Sequence, residues 1–180
     1  MLKSTVLEAK ELWKGYEETK GSYRWVLKKL NLQFLEGEFI SILGESGEGK
    51  STLLKILSFN EYPDKGGIYF QGRLVGKSGV EEMGQMRSDR RVWLVDGSLP
   101  AEILSEKISV VLLDEPAAFV DAKIDPRPGN RLLTYILYLN SCGIAVIIAT
   151  RHPLIASRAT SIHKLSKGKI EKLTDNTKFS

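Results

Sequence analysis

Residues 44–52 read Gly44-Glu45-Ser46-Gly47-Glu48-Gly49-Lys50-Ser51-Thr52 and fit the pattern G-x-x-x-x-G-K-[ST], which is typical of a phosphate-binding P-loop. A short apolar run at 39–43 precedes the loop, and a helical pattern follows it. Because a strand, a glycine loop and a helix in this order aim backbone N–H groups at phosphate oxygens, the stretch predicts binding of a nucleoside triphosphate. We expect Lys50 to reach the β- and γ-phosphates and the Ser51 hydroxyl to ligate Mg²⁺.

The bulk properties indicate one globular domain. The chain has 180 residues, of which 42% are apolar, so it is long enough to bury a core. The net charge of +4 comes from scattered Lys and Arg, and solvated faces explain it better than a nucleic-acid groove, despite a small basic cluster at Arg87, Arg90 and Arg91. A single cysteine, Cys142, excludes an internal disulfide and favours a reducing compartment.

One uncharged segment, residues 132–150, has the length of a membrane-spanning helix. Its interior favours a helix, a turn and a strand instead. Apolar residues at helical spacing run to Leu139, and the stretch Asn140-Ser141-Cys142-Gly143 is typical of a helix stop followed by a turn. We therefore expect a helix at 130–140 and a buried parallel strand at 144–149.

The remaining elements alternate between strands and helices. Strands at 4–12 and 26–35, joined by the polar loop Glu17–Ser22, predict an antiparallel opening. Further predictions are a helix at 50–58, a turn at 63–67, strands at 68–70, 92–95 and 110–113, a brief helix at 100–107 and a closing hairpin at 162–165 and 169–171. Residues 77–91 are polar and weakly patterned. This order around a P-loop predicts an α/β fold of the P-loop NTPase class, with a mainly parallel sheet and an antiparallel N-terminal β portion.

Two carboxylates follow the apolar strand predicted at 110–113. Asp114 stands at the tip of this strand, where open α/β sheets bind ligands, and it can hold Mg²⁺ there. Glu115 is placed to polarise an attacking water as a general base. A strand that ends in solvated acids is the alternative, but the presence of a good P-loop favours the nucleotide site.

Together with the P-loop, these residues resemble the ATP-binding subunits of ABC transporters, most closely those of the lipoprotein-release and macrolide-exporter type. The likeness covers residues 26–72, 110–121 and 143–170. It implies that the chain binds ATP and Mg²⁺, that Asp121 is the aspartate of the D-loop after the Walker B strand, and that Tyr16 stacks on adenine. Tyr23 and Trp25 are alternatives for the stacking aromatic, and Tyr16 as an ordinary core aromatic is another.

The chain departs from this family in its middle and near its end. Only 64 positions separate Lys50 from Asp114, about half the family's usual interval, so the helical subdomain is expected to be largely absent between 77 and 107, together with the signature loop. Leu104-Ser105-Glu106-Lys107 matches only the first two letters of that signature, and Asp96-Gly97-Ser98 stands where the family has its Q-loop glutamine. Arg151 occupies the position of the switch histidine; either His152, one place later, substitutes for it or the switch is lost.

The resemblance implies one nucleotide-binding domain over residues 1–180, which binds Mg-ATP and hydrolyses it to drive a transmembrane permease, with Glu115, Lys50 and His152 as catalytic residues. The implied partners are that permease and a second ATP-binding subunit in a homo- or heterodimer, with no nucleic acid. The implied location is cytoplasmic, at the inner face of the cell membrane. Two alternatives stay open: a degenerate regulatory member with little hydrolysis, and a small P-loop kinase or nucleic-acid ATPase.

Overall fold

Two β-sheets and four helices make up the described part of the chain, as a computed structural model shows. The structure describes residues 3–19, 21–75, 80–89, 91–95, 107–116, 130–151 and 153–175. In chain order the elements are β1 (Thr5–Glu17), β2 (Tyr23–Leu35), β3 (Phe39–Leu43), α1 (Lys50–Leu57), β4 (Lys65–Phe70), β5 (Arg73–Val75), α2 (Val80–Ser88), β6 (Val92–Val95), β7 (Val110–Asp114), α3 (Asn130–Ser141), β8 (Ala145–Thr150), α4 (Pro153–Ala156), β9 (Ser161–Ser166) and β10 (Lys169–Asp175).

The first half of the chain contributes an antiparallel sheet with the strand order β2-β1-β4-β5. β1 and β2 form a long ribbon, and register shifts along it mark local irregularities of the kind that bend and twist strands. Leu30, Leu32 and Phe34 are buried at every second position of β2, while the residues between them are exposed. One face of this sheet therefore packs on the core and the other faces solvent.

The second sheet has the strand order β10-β9-β3-β8-β7-β6. The five strands from β9 to β6 run parallel to one another, and β10 pairs with β9 in the antiparallel sense. All six positions of β8 are buried, which explains why its first five residues, 145–149, are all apolar. The prediction of a mainly parallel sheet with an antiparallel N-terminal portion is thus confirmed.

Two apolar cores lie on opposite faces of the parallel sheet. Leu112 and Ile147 belong to one core, together with α1 and the buried face of the antiparallel sheet. Their neighbours in sequence, Val111 and Val146, belong to the other core, together with α3. Because successive side chains of a strand point to opposite faces, the parallel sheet is covered on both sides, which leaves its carboxyl-terminal edge for a site.

Gly168 lets the two sheets approach each other closely. It lies in the turn between β9 and β10 with a φ of 75°, and its carbonyl oxygen accepts a 2.7 Å hydrogen bond from the Lys28 N–H of β2. A Cβ at this position would lie 2.6 Å from the Val26 carbonyl oxygen. Any larger residue would therefore push β2 away from the hairpin.

The uncharged segment at 132–150 has the predicted helix, turn and strand. α3 ends at Ser141 and β8 begins at Ala145, and the Ile144 N–H donates to the Leu139 carbonyl across the turn. None of the helices in the described ranges is both long and apolar enough to cross a membrane.

Some predicted element bounds are wrong. β1 extends to Glu17 rather than to residue 12, because β2 supplies hydrogen-bond partners for its polar second half. β4 begins at Lys65, inside the turn predicted at 63–67, because β1 pairs with it as far as Trp13. β5, α2 and α4 have no counterpart in the predictions, since they are short or only weakly periodic. The helix predicted at 100–107 falls almost wholly outside the described residues.

Replacing Ile147 with Ala tests the contribution of the central strand. Ile147 is fully buried in the core that contains α1. We expect the free energy of unfolding to fall by about 3 kcal/mol, because close-packed neighbours only partly fill the cavity left behind. Urea denaturation measures this change. Leu137→Ala, at an exposed position of α3, is the control and should cost no more than about 0.5 kcal/mol; equal losses would contradict the burial pattern.

Candidate functional site

The P-loop connects the end of β3 to the start of α1. The Gly44 N–H donates to the Thr150 carbonyl at 3.2 Å, which ties the start of the loop to the end of β8. Gly49 precedes α1 with a φ of 97°, and a Cβ there would lie 2.7 Å from Val26 Cγ1. The loop therefore requires glycine at this point, because a side chain would clash with β2 in a backbone conformation that already disfavours it.

Lys50 is a buried lysine whose ammonium group has three acceptors. Its side chain is only 6% exposed, and Nζ donates to the carbonyl oxygens of Gly44 at 2.7 Å and Glu45 at 2.9 Å. The third acceptor is the carboxylate of Glu115, with Oε1 at 3.2 Å. The three N–H groups of the ammonium are thus matched, which offsets the cost of burying the charge. The P-loop and the end of β7 meet at this lysine.

Asp114 and Glu115 stand at the carboxyl-terminal end of β7, as the sequence predicts for their place on the strand. Asp114 pairs with Ala149 of β8, and the Glu115 N–H donates to the Ala149 carbonyl at 2.8 Å. Glu115 has a φ of 43°, which is uncommon for a residue other than glycine and recurs at functional sites. Its second oxygen, Oε2, accepts a 3.3 Å hydrogen bond from the Arg151 N–H.

The residues proposed to hold Mg²⁺ fit a hard cation. Asp114 Oδ1 is buried and has no hydrogen-bond partner within the described part of the chain, so it is an oxygen that still needs a cation or a donor. Ser51 is exposed in the first turn of α1, and α1 packs against β7. Mg²⁺ takes oxygen ligands, typically one or two carboxylates together with substrate phosphates and water. One carboxylate and one hydroxyl therefore suit this ion without any all-protein metal cage.

Tyr16 lies near the end of β1, and of the three candidate stacking aromatics it has the contact with the P-loop. Its hydroxyl oxygen is 3.4 Å from Thr52 Oγ1. The same hydroxyl group donates a hydrogen bond to Glu61 Oε1 at 2.7 Å. Tyr23 instead donates to Asp64 Oδ2 at 2.6 Å. Trp25 packs edge-on against another tryptophan, with 5.2 Å between the ring centroids.

Three charged residues around Tyr16 were not among the predicted site residues. Lys14 Nζ lies 3.1 Å from Glu61 Oε1 and 3.4 Å from Asp64 Oδ1. Burial alone would lower the pKa of Lys14, but the two carboxylates outweigh it and raise that pKa. Lys14 stands two places before Tyr16 on β1, so strand periodicity could have predicted that the two side chains share a face. No sequence pattern predicts that Glu61 and Asp64 lie near Tyr16 and Lys14, because only the fold brings them together.

Four predicted site features, namely His152, Asp121, the Asp96-Gly97-Ser98 stretch and Ser105, lie outside the described residues. Arg151 occupies the expected switch position, and its backbone N–H donates to Glu115 Oε2. The end of β8 thus contacts the proposed general base through the main chain.

Comparison with known proteins agrees with this architecture. Residues 27–95 match the family model described as ABC transporter. The lipoprotein-releasing system ATP-binding protein LolD of Acinetobacter baylyi is 40% identical over 83 residues, which cover 46% of this chain and 36% of LolD. The chain is thus similar to the ATP-binding proteins of ABC transporters. The macrolide export ATP-binding/permease protein MacB 1/2 of Paracoccus denitrificans is 25% identical to this chain over 213 aligned positions, covering 86% of it and 31% of MacB. The chain therefore spans about a third of the length of these relatives.

A solved structure shares the fold of this chain. The ATP-binding cassette MJ0796, in a dimeric post-hydrolysis state bound to ADP and Pi, has a TM-score of 0.81 with it. The comparison covers 96% of this chain and 100% of the cassette, at 21% sequence identity. At this identity the likeness establishes the fold alone.

Replacing Glu115 with Gln tests the contact with Lys50. Glu115 Oε1 lies 3.2 Å from Lys50 Nζ, so a phosphate that bound Lys50 would have to compete with this carboxylate. We expect Glu115→Gln to bind ATP about two- to fivefold more tightly, the factor that corresponds to a modest, partly solvated ion pair. Isothermal titration calorimetry measures the affinity. The same charge change at Glu171, on the exposed β10, is the control, and weaker binding by Glu115→Gln would contradict the competition.

Replacing Asp64 with Asn tests the charged network beside Tyr16. Burial raises the pKa of Asp64, but hydrogen bonds from Tyr23 and Gly15 and the charge of Lys14 lower it below its ordinary value of 3.8. A depressed folded-state pKa means that the carboxylate stabilises the fold above pH 3.8 and stops doing so as pH falls through the folded-state value. We expect Asp64→Asn to cost about 1 kcal/mol at pH 7, because water reaches and screens these bonds. The difference in unfolding free energy between the wild type and Asp64→Asn, measured by urea denaturation, should shrink as the pH is lowered toward about 3.5. A difference that stays constant with pH would contradict this expectation.

Proposed function

We propose that the chain is the ATP-binding subunit of an ABC-type transporter, and that it binds Mg-ATP at the edge formed by the P-loop, β7 and β8. The observation that carries the proposal is the contact of Lys50 with both the P-loop carbonyls and Glu115. This contact joins the phosphate-binding element to the carboxylates. A triphosphate bound there would have the lysine, the loop N–H groups and the general base within reach.

The proposed roles follow from position and chemistry. Lys50 leaves the loop carbonyls to bind the β- and γ-phosphates, and the backbone N–H groups of Gly44–Thr52 cradle them. Ser51 and Asp114 hold Mg²⁺, which supplies charge neutralisation during phosphoryl transfer. Glu115 orients and deprotonates the attacking water. His152, which lies outside the described residues, would assist at the γ-phosphate if it substitutes for the switch histidine.

The proposed partners follow the relatives. LolD is an ATP-binding protein of a lipoprotein-releasing system, and MacB combines an ATP-binding part with a permease. We propose that this chain couples ATP hydrolysis to a membrane permease from the cytoplasmic face, and that it pairs with a second ATP-binding subunit as the MJ0796 cassette does. One nucleotide-binding domain over residues 1–180, with its helical subdomain largely absent between 77 and 107, is part of the same proposal.

A second candidate is a regulatory subunit that binds nucleotide and hydrolyses little of it. Both carboxylate oxygens of Glu115 are already engaged, one by Lys50 and one by the Arg151 N–H. A base held in this way must be released before it can accept a proton from water. The short interval between Lys50 and Asp114 also leaves little chain for a signature loop.

Lys50→Ala tests ATP binding. We expect the affinity for Mg-ATP to fall about 30- to 100-fold, since hydrogen bonds from a charged donor to phosphate are lost. Calorimetric titration measures the affinity, and thermal melting confirms that the variant is folded. Lys29→Ala, which removes an exposed lysine paired with Glu11, is the control and should bind as the wild type does. Unchanged binding by Lys50→Ala would contradict the proposal.

Turnover distinguishes the two candidates. Phosphate release by the wild type is measured alone and with candidate permeases, and compared with that of Glu115→Gln. A transporter ATPase should exceed the variant by at least about 100-fold, the usual contribution of a general base. A regulatory subunit should bind ATP and show no difference from the variant.

A further inference from the structure

The hydroxyl of Tyr16 is held by a carboxylate that is itself held by a lysine. The Tyr16 hydroxyl donates to Glu61 Oε1 at 2.7 Å, and Lys14 Nζ lies 3.1 Å from that same oxygen. Lys14 also donates to the Tyr62 carbonyl at 2.9 Å, which fixes the lysine on the segment between α1 and β4. The side chains of Lys14 and Glu61 are 13% and 22% exposed, so this pair is largely sheltered from water.

The same lysine lies over the Tyr16 ring. Lys14 Nζ is 5.3 Å from the ring centroid, within the range of a cation–π contact. The lysine therefore lies over one face of the ring. Tyr16 as a residue is 39% exposed, so solvent reaches it although its hydroxyl is held.

The protonation of Tyr16 suits this arrangement. Burial raises the pKa of the Tyr16 hydroxyl, and the Glu61 carboxylate raises it further. The hydroxyl is therefore protonated at neutral pH and acts as the donor to Glu61. Thr52, at 3.4 Å from the hydroxyl oxygen, brings this anchored ring beside the last residue of the P-loop.

We infer that Glu61 and Lys14 are positioning residues that hold the Tyr16 ring ready to stack on the nucleobase, and that the hydroxyl of Tyr16 is needed for this although it does not touch the base. The inference rests on the proposed function. A tyrosine near the end of a strand would otherwise lose rotamer freedom when the base binds. Ordering it beforehand is expected to improve affinity about three- to tenfold.

Tyr16 would contact only the base of ATP, whereas Lys50 and the P-loop would contact only the phosphates. Inorganic tripolyphosphate lacks the base, so its affinity for the chain should not change when Tyr16 or Glu61 is substituted. A merely structural role for the network would change the binding of both ligands, because it would disturb the P-loop through Thr52.

The test measures the affinity of the full chain for ATP and for tripolyphosphate, both with Mg²⁺, by calorimetry. Tyr16→Phe keeps the ring and removes the hydroxyl, and Glu61→Gln removes the charge that holds it. We expect both variants to bind ATP about three- to tenfold more weakly and to bind tripolyphosphate as the wild type does. Tyr16→Ala, which also removes the stack, should lose about 10-fold or more for ATP alone.

Glu11→Gln is the matched control. Glu11 pairs with Lys29 at 3.2 Å between β1 and β2, so the change removes a charge pair away from Tyr16 and should alter neither affinity. ATP binding by Tyr16→Phe at the wild-type level would overturn the inference and leave the proposed function standing. If the variants lost the same factor of affinity for ATP and for tripolyphosphate, the inference would be overturned, and the network would instead have a structural role in supporting the P-loop. A wild-type chain that binds neither ligand would overturn the proposed function and the inference together.

Discussion

The parallel pairing of β3, β8 and β7 is the constraint on which the candidate site depends. The three strands are neighbours, in register from Phe39 opposite Val146 to Asp114 opposite Ala149. Their carboxyl ends therefore meet at one edge, where β3 delivers the P-loop, β7 the two acids and β8 the backbone of Arg151. Apolar side chains on both faces of these strands supply the burial that keeps this edge in place.

A buried charge couples the parts of that edge. Lys50 is held by two loop carbonyls and by Glu115, so in this arrangement the lysine and the proposed base satisfy each other. A triphosphate would exchange its own oxygens for these acceptors and release the carboxylate. If the chain binds nucleotide as proposed, part of the binding free energy would be spent on releasing Glu115 from Lys50. The separate network of Lys14, Glu61 and Tyr16 joins β1 to the segment between α1 and β4, beside the last residue of the P-loop.

Much of the fold could be predicted because its signals are local. A glycine loop between a strand and a helix, and an apolar run ending in Asp114 and Glu115, are patterns of a few adjacent residues. The helix-turn-strand at 132–150 was recognisable for the same reason, from a polar interruption at 140–143. β5 and α2 were missed because they are short or weakly periodic and form against neighbours rather than from their own pattern. The full length of β1 was missed because β2 pairs with a stretch that has little strand character of its own.

The sequence by itself indicated which chemistry the chain can hold: a P-loop, a candidate metal-binding acid, a candidate base and the order along the chain of the strands that display them. Only the tertiary structure decided which of these groups touch. The Tyr16 hydroxyl meets Glu61 across 45 positions, and Lys50 meets Glu115 between separate strand ends. Contacts of this kind depend on strand register and on how one sheet packs against the other. No local pattern encodes them, because the same residue types would be equally reasonable on any solvated edge.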